Sequence, residues 1–121
     1  MLPAQHRLRT SPDFTAILRR RGRVTVDAQL LVLTANTVPG RQYLPSRVGF
    51  VVGRPVGNAV ARNRTKRRLR EQCRARLALL TPGVDYVVRA HPAAASASSA
   101  ALGSALDEAM TTIGARLRSR T

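Results

Sequence analysis

The feature that most constrains the fold is the segment 58–80, which contains neither glycine nor proline. It follows Gly57 and ends before Pro82 and Gly83, so helix-breaking residues stand on both sides of it. An uninterrupted segment of this length between such residues is typical of a long α-helix. We therefore expect a helix over about 58–80, with Asn58 at the position of its N-cap.

Basic residues are concentrated on this helix, because eight of the fifteen residues from Arg62 to Arg76 are basic and only Glu71 is acidic. At about 100° per residue, four apolar side chains fall within an arc of roughly 80°. These four are Leu69, Cys73, Leu77 and Leu80. The other side of the helix carries Arg64, Arg67, Arg68, Arg70 and Arg74. We expect the apolar stripe to pack on a sheet and the basic face to point to solvent.

A basic helix face can be a solvated surface or a binding surface. A solvated face usually mixes both signs of charge at spacings of three and four residues. This chain has 21 Lys and Arg against 6 Asp and Glu, a formal net charge of +15. Self-repulsion at that charge disfavours the compact state unless a polyanion neutralises it. The pattern therefore favours a nucleic-acid-binding surface.

Arg62 departs from this division, because the helical wheel places it over the apolar stripe. An arginine cannot be buried there without a partner. Either its side chain projects beyond the edge of the sheet, or the helix begins after it. Both arrangements leave the guanidinium near a helix N-terminus, where backbone N–H groups favour phosphate. Asn58 and Asn63 can add neutral hydrogen bonds to sugar or base edges, although capping the helix is the plainer role for Asn58.

The remaining segments alternate between strand and helix patterns. Strands are predicted over 24–38 (one strand or two short ones), 47–53 and 85–89, and helices over 11–21 and roughly 99–119. The first helix begins at Ser11-Pro12-Asp13, and Gly22 is its expected stop. Residues 1–121 are expected to form one domain, an α/β sandwich with helices packed on one sheet.

The strand over 47–53 has two unequal faces. Val48, Phe50 and Val52 point to one side, and Gly49, Val51 and Gly53 point to the other. The bulky side is the natural core face. The bare side is either covered closely by another backbone or open as a shallow groove, and the strand alone does not decide between the two.

Residues that could carry catalysis or bind a metal are sparse. Cys73 is the only cysteine, which excludes an internal disulfide and a cysteine-based metal site. The only adjacent acidic pair, Asp107-Glu108, diverges by about 100° on a helix and cannot readily share a metal. No nucleophile has a credible base beside it. We therefore predict no catalytic residue and no metal site in this chain. It also shows no signal peptide or membrane span, which favours a cytoplasmic location.

The run RVGFVVGRPVGNAVARNRTKRRLRE, from Arg47 to Glu71, closely resembles the signature of the bacterial ribonuclease P protein family. Further similarity lies in Arg7-Leu8, Asp13-Phe14, Gly22, Pro82-Gly83 and Asp85-Tyr86-Val87-Val88, so most of the chain except its tail is covered. The resemblance implies a small two-layer sandwich, with a mostly antiparallel sheet of about four strands and three helices. It also implies a left-handed βαβ crossover, against the strong right-handed norm.

The same resemblance implies a subunit of a ribonucleoprotein endoribonuclease that removes the 5′ leader of precursor tRNA. The chemistry would be carried by a catalytic RNA, which binds most of the required Mg²⁺ and one copy of the protein. The expected partners are that RNA and precursor tRNA, without a membrane. Composition alone also fits a ribosomal or RNA-chaperone protein, or a nucleoid protein that binds duplex DNA.

Two groups of contact residues follow from the resemblance. The catalytic RNA is expected to contact Arg54, Asn58, Arg62, Asn63, Arg64, Lys66, Arg67, Arg68 and Arg70. The single-stranded leader is expected in a cleft between the first helix and the sheet, beside Phe14, Leu18, Arg19, Arg21 and Val51. Phe14 would be a stacking or wall residue and Val51 part of the floor, which favours the open groove. Family members often have a second aromatic at the position of Leu18 and a second lysine at that of Pro55, so we expect weaker stacking here.

Overall fold

The predicted α/β sandwich of about four strands and three helices is confirmed in a computed structural model that describes residues 2–119. The strands are β1 (Val24–Asp27), β2 (Leu31–Thr37), β3 (Arg47–Val51) and β4 (Val84–Ala90), and the helices are α1 (Ser11–Arg19), α2 (Ala59–Arg74) and α3 (Ser99–Arg118). Short 3-10 turns lie at Ala4–His6, Arg54–Val56, Leu77–Leu79 and Pro92–Ser96. The segment 24–38 thus forms two strands, separated at Gln29, which has a positive φ of 70°.

The strands form one mixed sheet in the order β1-β2-β4-β3. The β1–β2 and β2–β4 pairs are antiparallel, as predicted for most of the sheet, whereas β3 and β4 are parallel. Two neighbouring parallel strands need a crossover connection, and α2 supplies it. The left-handed sense of that crossover stays a prediction. This order makes β1 and β3 the two edge strands.

The main core lies between one face of the sheet and the helices α2 and α3. Leu33 of β2 is opposite Val88 of β4, and both side chains are fully buried. Leu69 and Cys73 of α2 are also fully buried, so the predicted apolar stripe packs on the sheet. Leu106 contributes from α3. Burying a side chain of this kind stabilises the fold by about 1.5–3 kcal/mol.

The opposite face of the sheet is covered by α1, which lies there without another helix beside it among the described residues. A smaller apolar cluster forms there from Leu8, Ile17 and Val87, with Phe14 and Val51 packed against it. Residues 31–36 are consequently buried on both sides of the sheet. This explains why that strand has a nearly continuous apolar run in place of strict alternation.

The prediction that the second helix continues to residue 80 is wrong beyond Arg74. The backbone N–H of Arg76 donates to the carbonyl of Cys73 (2.9 Å), so the carbonyl of Gln72 loses its helical partner. The Arg76 guanidinium donates to that carbonyl (3.0 Å) and also to Asp107 of α3 (2.7 Å). Leu77 therefore lies in a separate 3-10 turn rather than on the helix.

The first helix is also shorter than predicted, because it ends at Arg19 and Arg20 is already extended. The side-chain amide of Asn36 donates to the carbonyls of Arg20 and Arg21, at 3.3 Å each. These bonds hold the chain as it leaves α1. Gly22 follows with a positive φ of 88°, as expected for a stop. The strand predicted over 47–53 is also shorter, because β3 ends at Val51.

A nearly buried ion pair joins β3 to β4, and a second carboxylate links the same arginine to α1. The carboxylate of Asp85 in β4 is buried and accepts hydrogen bonds from Nε and Nη2 of Arg47 in β3. These hydrogen bonds raise the pKa of Arg47 above its ordinary value. A second carboxylate, Asp13 of α1, lies 3.6 Å from Nη1 of the same guanidinium. Arg47 thus connects three elements through one side chain.

Replacement of this buried carboxylate should destabilise the fold. In an Asp85→Asn variant, we expect the free energy of unfolding to fall by roughly 3 kcal/mol, at the low end for breaking a buried ion pair, since Asp13 stays beside Arg47. The matched control is Asp107→Asn, which breaks a half-exposed pair with Arg76 and should cost no more than about 1 kcal/mol. Urea unfolding measures both, and equal losses would contradict the structural role of Asp85.

Candidate nucleic-acid interface

Helix α2 is built with one face for the core and one for solvent. Its first turn is capped by Asn58, whose Oδ1 accepts a hydrogen bond from the backbone N–H of Ala61 (2.9 Å), so the capping role of Asn58 is confirmed. The hydroxyl of buried Thr65 donates to the carbonyl of Ala61 (2.9 Å). Thr65, Leu69 and Cys73 then follow at intervals of four residues and face the sheet. The arginines between them must point elsewhere.

The residues predicted to contact RNA differ in exposure. Arg54, Asn58, Asn63, Arg64, Arg67 and Arg70 are exposed, whereas Arg62, Lys66 and Arg68 are partly buried. Arg54 lies in the 3-10 turn that leads into α2. Within residues 2–119, the ion pairs of the structure involve Arg47, Arg76 and His91, and none involves a basic residue between Arg62 and Arg70. The positive charge of the helix is thus available to a polyanion.

Arg68 is placed differently from the sequence prediction, which assigned it wholly to the solvent face. Its Nη1 donates to the carbonyl of Ala97 (3.1 Å), in the chain just before α3. The reason is its position beside Leu69, at the margin of the buried stripe, from which the long side chain reaches the neighbouring segment. Arg68 therefore stabilises the packing of α2, and the remaining donors of its guanidinium can still bind a ligand.

The structure decides between the two arrangements that the helical position of Arg62 allowed. The helix begins at Ala59, so the possibility that it starts after Arg62 is wrong. The side chain is partly buried, and its Nε is a buried donor without a hydrogen-bond partner among the described residues. A buried donor left unsatisfied costs about 1–3 kcal/mol, which an acceptor on a bound ligand would offset.

The bare face of β3 is covered by the ring of Phe14. A Cβ atom built on Gly49 would lie 2.3 Å from Cζ of Phe14, so the ring rests directly on the glycine backbone. The expectation of an open groove is therefore wrong at Gly49, which is buried, because the missing side chain makes room for an aromatic ring. Two residues further on, Val51 remains partly exposed and packs at the margin of the same cluster.

The other residues expected in the leader cleft lie on the exposed side or at the end of α1. Leu18 is 41% exposed, and Arg19 and Arg21 are exposed. The structure adds Arg89 to this surface, since it is exposed and is the β4 partner of Val51. Strand alternation contained this signal, because Val88 faces the core and its neighbour must face the other way.

The described residues contain no group of three His, Cys, Asp or Glu side chains that could hold a metal ion. Burial raises the pKa of the Cys73 thiol to about 12, so the reactive thiolate is not formed at neutral pH. Hydrogen bonds from Arg76 lower the pKa of Asp107. The side chains described here therefore do not fit a resident magnesium ion. No helix in residues 2–119 is long and apolar enough to cross a membrane.

This chain is similar to known proteins over most of its length. The ribonuclease P protein component of Beutenbergia cavernae is 45% identical over 118 residues, covering 98% of this chain and 96% of the relative. That of Acidothermus cellulolyticus is 49% identical over 109 residues, covering 88% of this chain and 87% of the relative. The solved ribonuclease P protein of Thermotoga maritima has a TM-score of 0.73 at 27% identity and covers 86% of this chain and 94% of that one.

A ribonuclease P protein of Staphylococcus aureus, at 22% identity and a TM-score of 0.77, has the same fold and covers 89% of this chain and 94% of that one. The family model for ribonuclease P matches residues 2–114, which include the basic helix, the sheet and the Phe14 surface. This chain therefore belongs to the ribonuclease P protein family.

Proposed function

We propose that this chain is the protein component of a ribonuclease P holoenzyme in the cytoplasm. It binds one catalytic RNA through α2 and the turn before it, and it binds the 5′ leader of precursor tRNA beside α1. The observation that carries this proposal is the exposed row of Arg64, Arg67 and Arg70 on α2, none of which forms an ion pair within residues 2–119. Membership of the ribonuclease P family supports an RNA as the partner of that row.

Binding through α2 is mainly electrostatic. Arginine presents planar, bidentate donors to phosphate, and each neutralised phosphate releases counterions. The set Arg64, Arg67 and Arg70 is exposed on the solvent side of the helix, while Arg62 offers an unsatisfied Nε near the N-terminus. The interface should therefore be strongly salt-dependent, with Arg62 and Asn63 adding directional contacts.

The second RNA contact lies on the opposite face of the sheet, which separates the leader from the catalytic RNA. Phe14 is held by Gly49 beneath it and is only partly buried, so part of its ring is available to a base. Stacking on an aromatic side chain contributes about 1–3 kcal/mol per base. Arg19, Arg21 and Arg89 surround this surface with positive charge that attracts the leader backbone.

The cleavage chemistry belongs to the RNA partner in this proposal. The catalytic RNA would hydrolyse the phosphodiester with water and leave a 5′-phosphate on the tRNA, and magnesium, held mainly by that RNA, would supply Lewis-acid chemistry there. The protein screens repulsion between the phosphates of the two RNAs and so raises the affinity of the complex for the metal. The acidic residues support this division, since those with ion pairs hold elements of the fold together.

Removal of the exposed arginines should strongly weaken assembly with the catalytic RNA. We expect the triple variant Arg64→Ala, Arg67→Ala and Arg70→Ala to lose stimulation of leader removal at low magnesium. The slope of log affinity against log salt should fall by about 3, since each phosphate contact contributes about 0.9. The matched control replaces Arg23, Arg116 and Arg118, which lie outside α2. If wild-type protein does not stimulate cleavage, a general RNA-binding role becomes the better account.

The packing of Phe14 on Gly49 predicts that a larger residue at position 49 weakens binding of precursor tRNA but not of mature tRNA. A Gly49→Ala variant must push the ring away, so we expect affinity for precursor tRNA to fall about 5- to 10-fold. Affinity for mature tRNA should be unchanged, because mature tRNA has no leader to contact Phe14. Equilibrium binding of both tRNAs to the holoenzyme measures the difference.

The matched control for this variant is Gly53→Ala, whose new Cβ would meet its nearest atom, Cδ of Pro55, at an ordinary 3.5 Å. It adds the same methyl group without moving Phe14. A Phe14→Ala variant should reproduce the defect, and adding Gly49→Ala to it should have little further effect. An equal loss for precursor and mature tRNA would contradict the leader contact.

A further inference from the structure

A cavity of about 380 Å³ opens at the free edge of β3, between the N-terminal segment and α2. Its apolar wall is formed by Leu2, Leu8, Val48 and Phe50. Phe14 lines one end, where the cavity meets the proposed leader surface, and Lys66 and Arg70 line the other, where it meets the basic face of α2. The cavity therefore lies at the junction of the two RNA-binding surfaces.

Positive charge surrounds this cavity. Arg7, Arg9, Lys66 and Arg70 line it, and no carboxylate of residues 2–119 does. Arg7 is fixed by a hydrogen bond from its Nε to the carbonyl of Leu2 (2.8 Å), and Arg9 is exposed. None of the four forms an ion pair within the part of the chain that the structure describes. An anionic ligand with an apolar portion would complement both the charges and the wall.

The backbone of β3 adds directional groups to the cavity. The N–H of Leu8 donates to the carbonyl of Val48 (3.0 Å), which shows that Val48 directs its backbone groups to the outer edge of the sheet. Phe50 lies two residues further along and, by the alternation of a strand, directs its N–H and C=O to the same edge. One backbone donor and one acceptor thus face the cavity, beyond the segment that covers Val48.

We propose that this cavity binds a single unstacked nucleotide of RNA. The base lies on the apolar wall and exchanges hydrogen bonds with the backbone of Phe50, while Arg9, Lys66 and Arg70 contact the flanking phosphates. Proteins read unpaired RNA in this way, through stacking and hydrogen bonds to exposed base edges. The volume is at the lower end of small-molecule sites, about 300–1,000 Å³, which suits one nucleotide and excludes a duplex.

Which RNA provides the nucleotide depends on the proposed function, because both the catalytic RNA and the leader run beside the cavity in that arrangement. An unpaired segment of either RNA has the required chemistry. The pocket itself, however, is tested without either RNA. This allows the failure of the pocket and the failure of the holoenzyme role to be distinguished.

The first test titrates the full chain, labelled with ¹⁵N, with adenosine 5′-monophosphate. We expect saturable shifts of the Phe50 amide at millimolar nucleotide, and a smaller response to inorganic phosphate. Arg9→Ala should weaken this binding about fivefold through the loss of one charged hydrogen bond. The control Arg23→Ala, at the opposite edge of the sheet, should leave it unchanged. If phosphate produces the same shifts, or if Phe50 does not respond, the nucleotide pocket is wrong.

The second test places photoreactive benzoylphenylalanine at Arg9 in the reconstituted holoenzyme, with Arg23 as the control position. Crosslinks from position 9 should map to one or two adjacent unpaired nucleotides. If they form before precursor is added, the nucleotide belongs to the catalytic RNA, and if they require the precursor, it belongs to the leader. Crosslinks spread over many nucleotides, or matched from position 23, would overturn the proposal. Stimulated cleavage in the same mixture would show that the holoenzyme role survives that outcome.

Discussion

The rest of the structure depends on the hydrogen-bonded pair between Arg47 and the buried carboxylate of Asp85. Asp13, which precedes Phe14 in α1, lies 3.6 Å from the same guanidinium, so this arginine also contacts the helix that carries Phe14. The other ion pairs act similarly, since Asp107 joins α3 to Arg76, and Asp27 of β1 lies 3.1 Å from the side chain of His91. In a chain with only 6 acidic residues, these carboxylates connect elements of the fold. The positive charge of α2 is left for a partner.

The sheet separates the basic face of α2 from the Phe14 surface and also connects them. Alternation along β3 sends Phe50 toward the core under α2 and Gly49 toward α1, so one short strand contributes to both surfaces. The close contact of Phe14 with Gly49 and the buried stripe of α2 then set both surfaces relative to the same backbone. A ligand at the edge of β3 would contact both, which is why the cavity there is the natural junction between them.

Local patterns predicted the elements, and distant contacts decided their ends and their order. The Gly- and Pro-free segment was sufficient to predict α2 but not its end at Arg74, after which Arg76 donates to Asp107, 31 residues away. The bare side of β3 was visible in the alternation, whereas its cover by Phe14 required the placement of α1. Arg68 was misplaced for the same reason, because its partner Ala97 belongs to a segment far along the chain. The parallel pairing of β3 with β4 is likewise non-local.

Folding and RNA binding are coupled through charge in this chain. The apolar stripe of α2 holds the helix on the sheet, while the arginines on its other face repel one another and oppose compaction. A bound RNA would remove that repulsion, so it would stabilise the folded protein beyond the contacts that it makes directly. The protein therefore does not need to reach its highest folding stability in the absence of RNA. The core needs only to hold the basic face of α2 and the Phe14 surface in a fixed arrangement until RNA binds and neutralises the positive charge.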